Sequence, residues 1–327
     1  MTDDTDEIEA RYGATVLAAA RRTFQQQQPD GSYPRQVHKT TTALLEAELE
    51  IEPPENPAYR HGLFARAGSY TTKVRLSNSL FDDNTPDGHG MALKIGGVEG
   101  PVLDGAPPGQ HDLVLIDQKI AMFRNAADAC AMFQAIDGAK EITPKTMLPR
   151  SYVIPRLFPP KFFWPSVNVM IRTGLDHFRF PDLMARSYYS VTPYRLGDGT
   201  AKFAMKPDPK YRAQRGRRSL RDKLQACLDR GPVHFTFFLQ PKVDPRDPVD
   251  DASIAWRSPL IPVGRLTIPP QDAAARIREG DRIAFSPWNA LAAHEPVGSV
   301  NALRRCAYAR SAELRNGVMT MDDPSEP

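Results

Sequence analysis

Residues 301–317 read NALRRCAYARSAELRNG, and the placing of arginine and tyrosine in this stretch sets the terms for the rest of the chain. Alanine, leucine, arginine and glutamate favour helix. Ser299 or Asn301 is suited to cap its start and Gly317 its end. At about 100° per residue, Arg304, Tyr308 and Arg315 fall within roughly 40° of one another around such a helix. The bland interpretation is the solvated face of an amphipathic helix. A second RxxxY, Arg66 to Tyr70, runs through Gly68 and has no third arginine in register.

Composition bounds what that face can meet. With 41% apolar and 25% charged residues among 327, the chain has the make-up of an ordinary globular protein with a sizeable core. Its 42 basic and 39 acidic residues leave a net charge of +3 and no long basic block, so nucleic acid is not indicated. The opening MTDDTDEIEARYG lacks the charged and apolar regions of a secretory signal, and no apolar run reaches the roughly 18 residues that would cross a bilayer. A cytoplasmic protein without an integral membrane segment is expected. Cys130, Cys227 and Cys306 are far apart and odd in number, which suits buried thiols better than disulfides or a metal site. Proline clusters in PKTMLPRSYVIPRLFPPKFFWP, residues 144–165, and marks a long connecting arm. The part from Pro149 to Val167 is expected to be a structural strap around the fold.

Eight runs rich in β-branched, aromatic and aliphatic residues are bounded by Gly, Pro, Asn and Asp: VHKTTTALLEAELEI, YTTKVRLSNS, GMALKIGGV, HDLVLID, RSYYSVTPYRL, TAKFAMKP, PVHFTFFLQ and IPVGRLTI. They predict an antiparallel sheet closed into a barrel. TPYRLGDGTAKF reads as a hairpin, and NAADACAMFQAI, SLRDKLQACLDR and PQDAAARIREG carry helical patterns. The class is α+β, with residues 1–30 as an N-terminal arm or helix, 31–317 as a single domain and 318–327 as a disordered tail.

A guanidinium one helical turn from a phenol favours the phenolate. Tyrosinate is a hard anionic ligand for ferric iron and one of the few protein ligands of haem. An arginine two turns on can meet a propionate, planar fork to carboxylate. A porphyrin is therefore the candidate object for the face of Arg304, Tyr308 and Arg315.

The segment resembles the proximal helix of haem catalases and catalase-related peroxidases. RIAFSPWNALAAHEP just upstream is similar to the stretch that leads into that helix, with Phe285, Pro287 and Asn289 in the matching positions. RQVH, residues 35–38, resembles the family's distal strand, which implies His38 as the distal acid and base, Arg35 as a propionate partner and Val37 beside the cofactor. KVRLSN matches an arginine and serine pair: Arg75 and Ser77 are two apart, on one face of a strand, and the resemblance gives Arg75 to the haem carboxylates and Ser77 to the Nδ1 of His38. DGHGMALKI and HDLVLIDQKIAMFRNAADA keep the family order, with His89 where arginine is usual. The resemblance implies an eight-stranded antiparallel β-barrel core, peripheral helices, a proximal helix near the C-terminus, haem b, and Tyr308 as the iron ligand.

The chain also departs from that pattern. The distal asparagine aligns with Ile116, and the nearest polar side chain is Asp117, which as an anion only accepts hydrogen bonds. The aromatic position over the distal haem edge aligns with Ala129. Val37 stands where allene oxide synthases of this type carry threonine. The expectation is a haem enzyme that breaks the O–O bond of organic hydroperoxides, fatty-acid hydroperoxides included, with His38, Ser77 and Asp117 as catalytic candidates and an unknown electron donor. A small catalase or general peroxidase acting on hydrogen peroxide and a haem-binding sensor without turnover are the alternatives. A homo-oligomer is left open.

Overall fold

In a computed structural model, the structure describes residues 2–23, 25–79, 87–142, 167–169, 171–176, 182–214, 216 and 219–317. The expected strap from Pro149 to Val167, apart from Val167 itself, and the expected tail of 318–327 lie outside the described residues.

Nine strands form one antiparallel sheet: β1 (Thr40–Ile51), β2 (Gly68–Asn78), β3 (His89–Gly96), β4 (Gln110–Ile116), β5 (Tyr188–Tyr189), β6 (Tyr194–Leu196), β7 (Gly199–Pro207), β8 (Val233–Pro241) and β9 (Ile261–Ile268). Their order is β5-β4-β3-β2-β1-β9-β8-β7-β6, and a further pairing of β5 with β7 closes the ring. Among the described strands β6 pairs with β7 alone, so eight of them make the barrel and β6 forms a hairpin beside it. The expected eight-stranded antiparallel barrel is present. Closure removes the exposed edges that an open sheet of this length would carry.

Strand alternation sorts each side chain to one side of the wall. β8 alternates buried and half-buried along its whole length, and Phe235, Phe237 and Leu239 fill the interior with Val74, Leu76, Leu93, Leu113 and Leu266. Each such side chain stabilises the fold by about 1.5–3 kcal/mol. The opposite parity points outward. On that outer face Arg75 pairs with Ala92 and Ala92 with Val114, while Ser77 pairs with Gly90. These rungs form one wall of the site below.

RSYYSVTPYRL, read as one strand, is two, β5 and β6. Thr192 N donates to Ser190 O at 2.7 Å, and Val191 between them has φ +63°. This i to i+2 bond with a positive φ is the rarer, strained form of γ-turn. Pro193, which has no N–H to give a ladder, is the sequence signal for the break.

Helices pack around the barrel: α1 (Thr2–Ile8), a π-helical turn (Glu9–Gly13), α2 (Ala14–Thr23), α3 (Ala126–Ile142), α4 (Leu220–Leu228), α5 (Ile277–Arg282) and α6 (Ser299–Arg315). Helix α6 is the one predicted from residues 301–317. Neither Ser299 nor Asn301 caps it. The cap is Gly298, and Asp250 Oδ1 accepts from Ser299 N at 2.7 Å. Gly317, φ +75°, follows its last turn as expected. The first helices hold α6 in place: Arg305 Nε donates to Glu9 at 2.8 Å, its Nη2 pairs with Asp6, and Gln25 Nε2 donates to Ser311 O at 3.0 Å. Of the three cysteines, Cys130 and Cys227 are buried as expected, whereas Cys306 is half-buried.

Two neutral imidazoles are built into the barrel interior. His111 Nδ1 accepts from Leu291 N at 3.1 Å and His294 Nε2 accepts from Leu63 N at 3.0 Å, with the rings 5.5 Å apart. Burial pushes His111 down to about 3, with His294 adding to the effect. Burial also takes His294 down to about 4, against its contact with Arg195 O. An accepting nitrogen cannot be protonated without breaking its bond. Below about pH 6.5 the unfolded imidazoles therefore bind protons that the folded ones refuse. Stability is expected to fall as pH drops from 6.5 toward 4, each histidine contributing up to about 1.4 kcal/mol per pH unit. Urea midpoints at pH 7, 6, 5 and 4 measure the slope. His111→Asn, which removes one titrating ring, should flatten it.

Candidate active site

A cavity lies between the outer face of β2–β4 and helix α6. The barrel supplies Arg75, Ser77, Met91, Ala92, Val114 and Leu115. Helix α6 supplies Ala307, Tyr308, Ser311, Ala312 and Arg315, the spacing of a single helix face. The segment before β1 adds Arg35 through His38, and Phe285 closes a side. Val37, the most exposed of the apolar lining residues at 39%, stands at the mouth.

His38 does not lie on the strand, as the sequence suggested. It precedes β1 with φ +54°, a left-handed conformation that a residue with a Cβ adopts only under constraint. The constraint is visible. Arg75 Nη2 donates to His38 O at 2.9 Å, and Ser77 Oγ stands 3.4 Å from His38 Nδ1, at the long end of hydrogen-bonding range. Across the wall a Cβ on Gly90 would come within 2.8 Å of both His38 Nδ1 and Ser77 Oγ, so only glycine leaves room for the ring. Burial, helped by the charge of Arg75, pushes His38 down to about 4 against the pull of Asp117. The imidazole is neutral near pH 7.

Three arginines crowd one end. Arg35 Nη2 donates to Gly280 O at 3.1 Å and also to Ile283 O; Arg75 Nε donates to Thr41 Oγ1 and Gly280 O, both at 3.0 Å. Gly280 can serve both because its backbone comes so near β1 that a Cβ would meet Thr41 Cγ2 at 2.6 Å. Burial and then the charges of Arg75 and Arg315 push Arg35 down to about 8. Burial takes Arg75 and Arg315 each down to about 10, with Asp281 opposing. Among the described residues, Arg35 Nε and Arg315 Nε and Nη2 are buried without a hydrogen-bond partner. Guanidinium keeps its proton in proteins, so unmet donors of like charge around a cavity call for an anion.

Behind the phenol, Arg304 Nη2 donates to Tyr308 Oη at 3.3 Å, and its charged carbon lies 5.2 Å from the Tyr308 ring centre. Its Nη1 donates to Thr192 Oγ1 at 3.0 Å and Asn301 Oδ1 at 3.1 Å. Both acceptors are neutral. The strained γ-turn at Val191 thus presents the hydroxyl that orients Arg304. On the opposite flank, Phe285 is fixed through its neighbours: Asp112 Oδ2 accepts from Ser286 N at 3.1 Å and Asn289 Nδ2 at 3.0 Å.

The structure brings together Arg35, Val37, His38, Arg75, Ser77, Tyr308 and Arg315 on one cavity, with Arg304 one layer out. It does not bring Asp117 there. Asp117 Oδ2 accepts from His89 Nδ1 at 3.0 Å and Arg186 Nη1 at 2.7 Å, and the carboxylate is buried away from the cavity lining. Burial works to raise its pKa, but the hydrogen bonds and charges of His89 and Arg186 outweigh burial and lower it. His89 therefore has a partner of its own in the position where the family carries arginine. Ile116 packs against the cluster of Val191, Ala252 and Val300, and Ala129 is buried among Val16, Ala126 and Leu303, outside the lining of this cavity. Sequence reasoning missed Gln36, which lines the cavity between two residues it had marked.

Known folds can now be set beside this geometry. Over 92% of its length the chain superposes on a fungal catalase with a TM-score of 0.63 at 16% identity, covering 61% of that chain. The chain has the catalase fold. Other catalases align comparably: a bacterial catalase at TM-score 0.59 and 16% identity, covering 95% of this chain and 62% of that one, and catalase A from Saccharomyces cerevisiae at 0.55 and 14%, covering 91% and 63%. A segment of 101 residues, 30% of this chain and 32% of the relative, is 38% identical to a catalase-related peroxidase of Mycolicibacterium paratuberculosis. The chain spans less than two thirds of the length of each of these proteins. No family model matches it.

The catalase-fold cavity gives a direct test of His38 geometry. Gly90→Ala is expected to displace the imidazole of His38 by its added methyl, and crystal structures of the variant and the parent measure the shift.

Proposed function

We propose that the chain is a haem-dependent oxidoreductase that cleaves the O–O bond of organic hydroperoxides, with Tyr308 as proximal iron ligand and His38 as distal acid and base. The observation that carries the reading is the shared cavity of His38 and Tyr308, ringed at one end by guanidinium nitrogens without partners. Likeness to a catalase-related peroxidase over part of the chain, and the catalase fold over most of it, support an enzyme of the peroxidase or catalase type.

The residues fit haem b. Arg35, Arg75 and Arg315 would hold its two carboxylates, and the unmet donors of Arg35 and Arg315 are of the kind that a carboxylate satisfies. Tyr308 would hold the iron, with Arg304 stabilising the phenolate form. When bound, the haem supplies the redox-active iron at which a peroxide bond is reduced. His38, neutral through burial, takes the hydroperoxide proton and returns it to the departing oxygen. Ser77 accepting from Nδ1–H leaves Nε2 as the base. The side chains of Ala92, Val114 and Phe285 exclude water and suit an alkyl substituent.

The preference for organic hydroperoxide over hydrogen peroxide rests on Ile116 and on the binding of Asp117 by His89 and Arg186, which leave no donor at the strand position where the resemblance expects asparagine. Fatty-acid hydroperoxides belong to the proposed substrate class.

Haem reconstitution tests the reading. The loaded protein is expected to show the absorption spectrum of high-spin ferric haem with a tyrosinate ligand, and Tyr308→Phe should lose it. Cumene hydroperoxide should be consumed at least tenfold faster than hydrogen peroxide per haem, and His38→Ala should slow that consumption by about a hundred- to ten-thousandfold. Rapid oxygen release from hydrogen peroxide would instead favour the catalase alternative.

A further inference from the structure

Gln36 is buried, 9% exposed, and lines the cavity next to Arg35 and two residues before His38. Its Nε2 is a buried donor with no hydrogen-bond partner among the described residues. A folded chain rarely leaves such a group unmet, because stranding it costs about 1–3 kcal/mol. Methionine would fill the same volume at no such cost. An amide kept unpaired beside a cavity is therefore a donor whose acceptor arrives from outside.

The chemistry of that acceptor follows from the division of labour along the lining. Carboxylates are met by Arg35, Arg75 and Arg315, charged forks that already outnumber two carboxylate groups. His38 has to keep a lone pair free to act as a base. An amide differs from both, since it donates at every pH and carries no charge, which suits an uncharged oxygen. Resting on the reading of the site given above, we propose that Gln36 is a substrate-binding residue whose Nε2 donates to an oxygen of the bound hydroperoxide. It would take up from the segment before β1 the task that Ile116 cannot perform from β4. The same donor strengthens as charge develops on the departing oxygen, so it acts on the reaction as well as on binding.

Gln36→Met removes the donor and keeps the shape; Gln36→Glu removes it and adds a buried charge. Three quantities are read on each: the melting temperature of the haem-free protein, the rate of haem transfer to excess apomyoglobin, and turnover of cumene hydroperoxide per bound haem. For Gln36→Met the expected result is a melting temperature equal to the parent's or raised by about 1–3 °C, haem transfer at the parent rate, and turnover lower by about a hundredfold. Gln36→Glu should lose turnover similarly while melting lower. Parent-like turnover per haem with faster haem transfer would overturn the proposal, because the amide would then serve the haem carboxylates. Parent-like turnover with a lower melting temperature in Gln36→Met would overturn it as well, leaving a structural amide. A parent protein that takes up no haem is a different failure, that of the proposed function itself.

Discussion

Mutual repulsion among Arg35, Arg75 and Arg315 is the constraint around which this molecule is arranged. Buried and drawn to one cavity, they are shifted toward deprotonation by lost hydration and by one another, yet guanidinium holds its proton. What keeps them together is backbone geometry. A carbonyl at Gly280 accepts from two of them, and that carbonyl is in place because glycine lets α5 approach β1. Arg75 in turn grips the carbonyl of His38 and holds that residue in its left-handed conformation. The catalytic candidate is thus oriented by the arginine-lined end, and the two ends of the cavity are one mechanical unit.

Much of this was legible in the sequence, for identifiable reasons. Residues that share a face in regular structure announce themselves by period: Tyr308 and Arg315 on a helix, Arg75 and Ser77 on a strand. The barrel strands were legible because interior and exterior side chains alternate. What stayed hidden depends on contacts between distant segments. Asp117 looked available because Arg186, its partner, lies 69 residues away. Ala129 aligned with a cofactor-facing position, but α3 turns it toward α2 and α6. His38 was read as strand, since no local signal marks a positive φ outside glycine. Gln36 was overlooked because a single amide in a motif has no period at all.

Strain appears at two places among the described non-glycine residues, His38 and Val191, and both border the proposed chemistry. His38 is itself a cavity residue; Val191 precedes the threonine that orients Arg304. A left-handed residue with a Cβ costs about 1–2 kcal/mol, a cost the surrounding packing has to offset. The barrel interior, with its clustered phenylalanines, is large enough to do so.

The wall that carries Tyr308 rests on ion pairs and hydrogen bonds to the first helices, Arg305 with Glu9 and Gln25 with Ser311, joining residues separated by 296 and 286 positions. Contacts so far apart in sequence form late, after hairpins such as β1–β2 have closed. The Arg305 pair is partly exposed and yields first, whereas Gln25 and Ser311 are buried. Loss of the exposed pair alone therefore leaves α6 tethered to the chain's first residues through its buried bond and the apolar cluster of Val16 and Leu303.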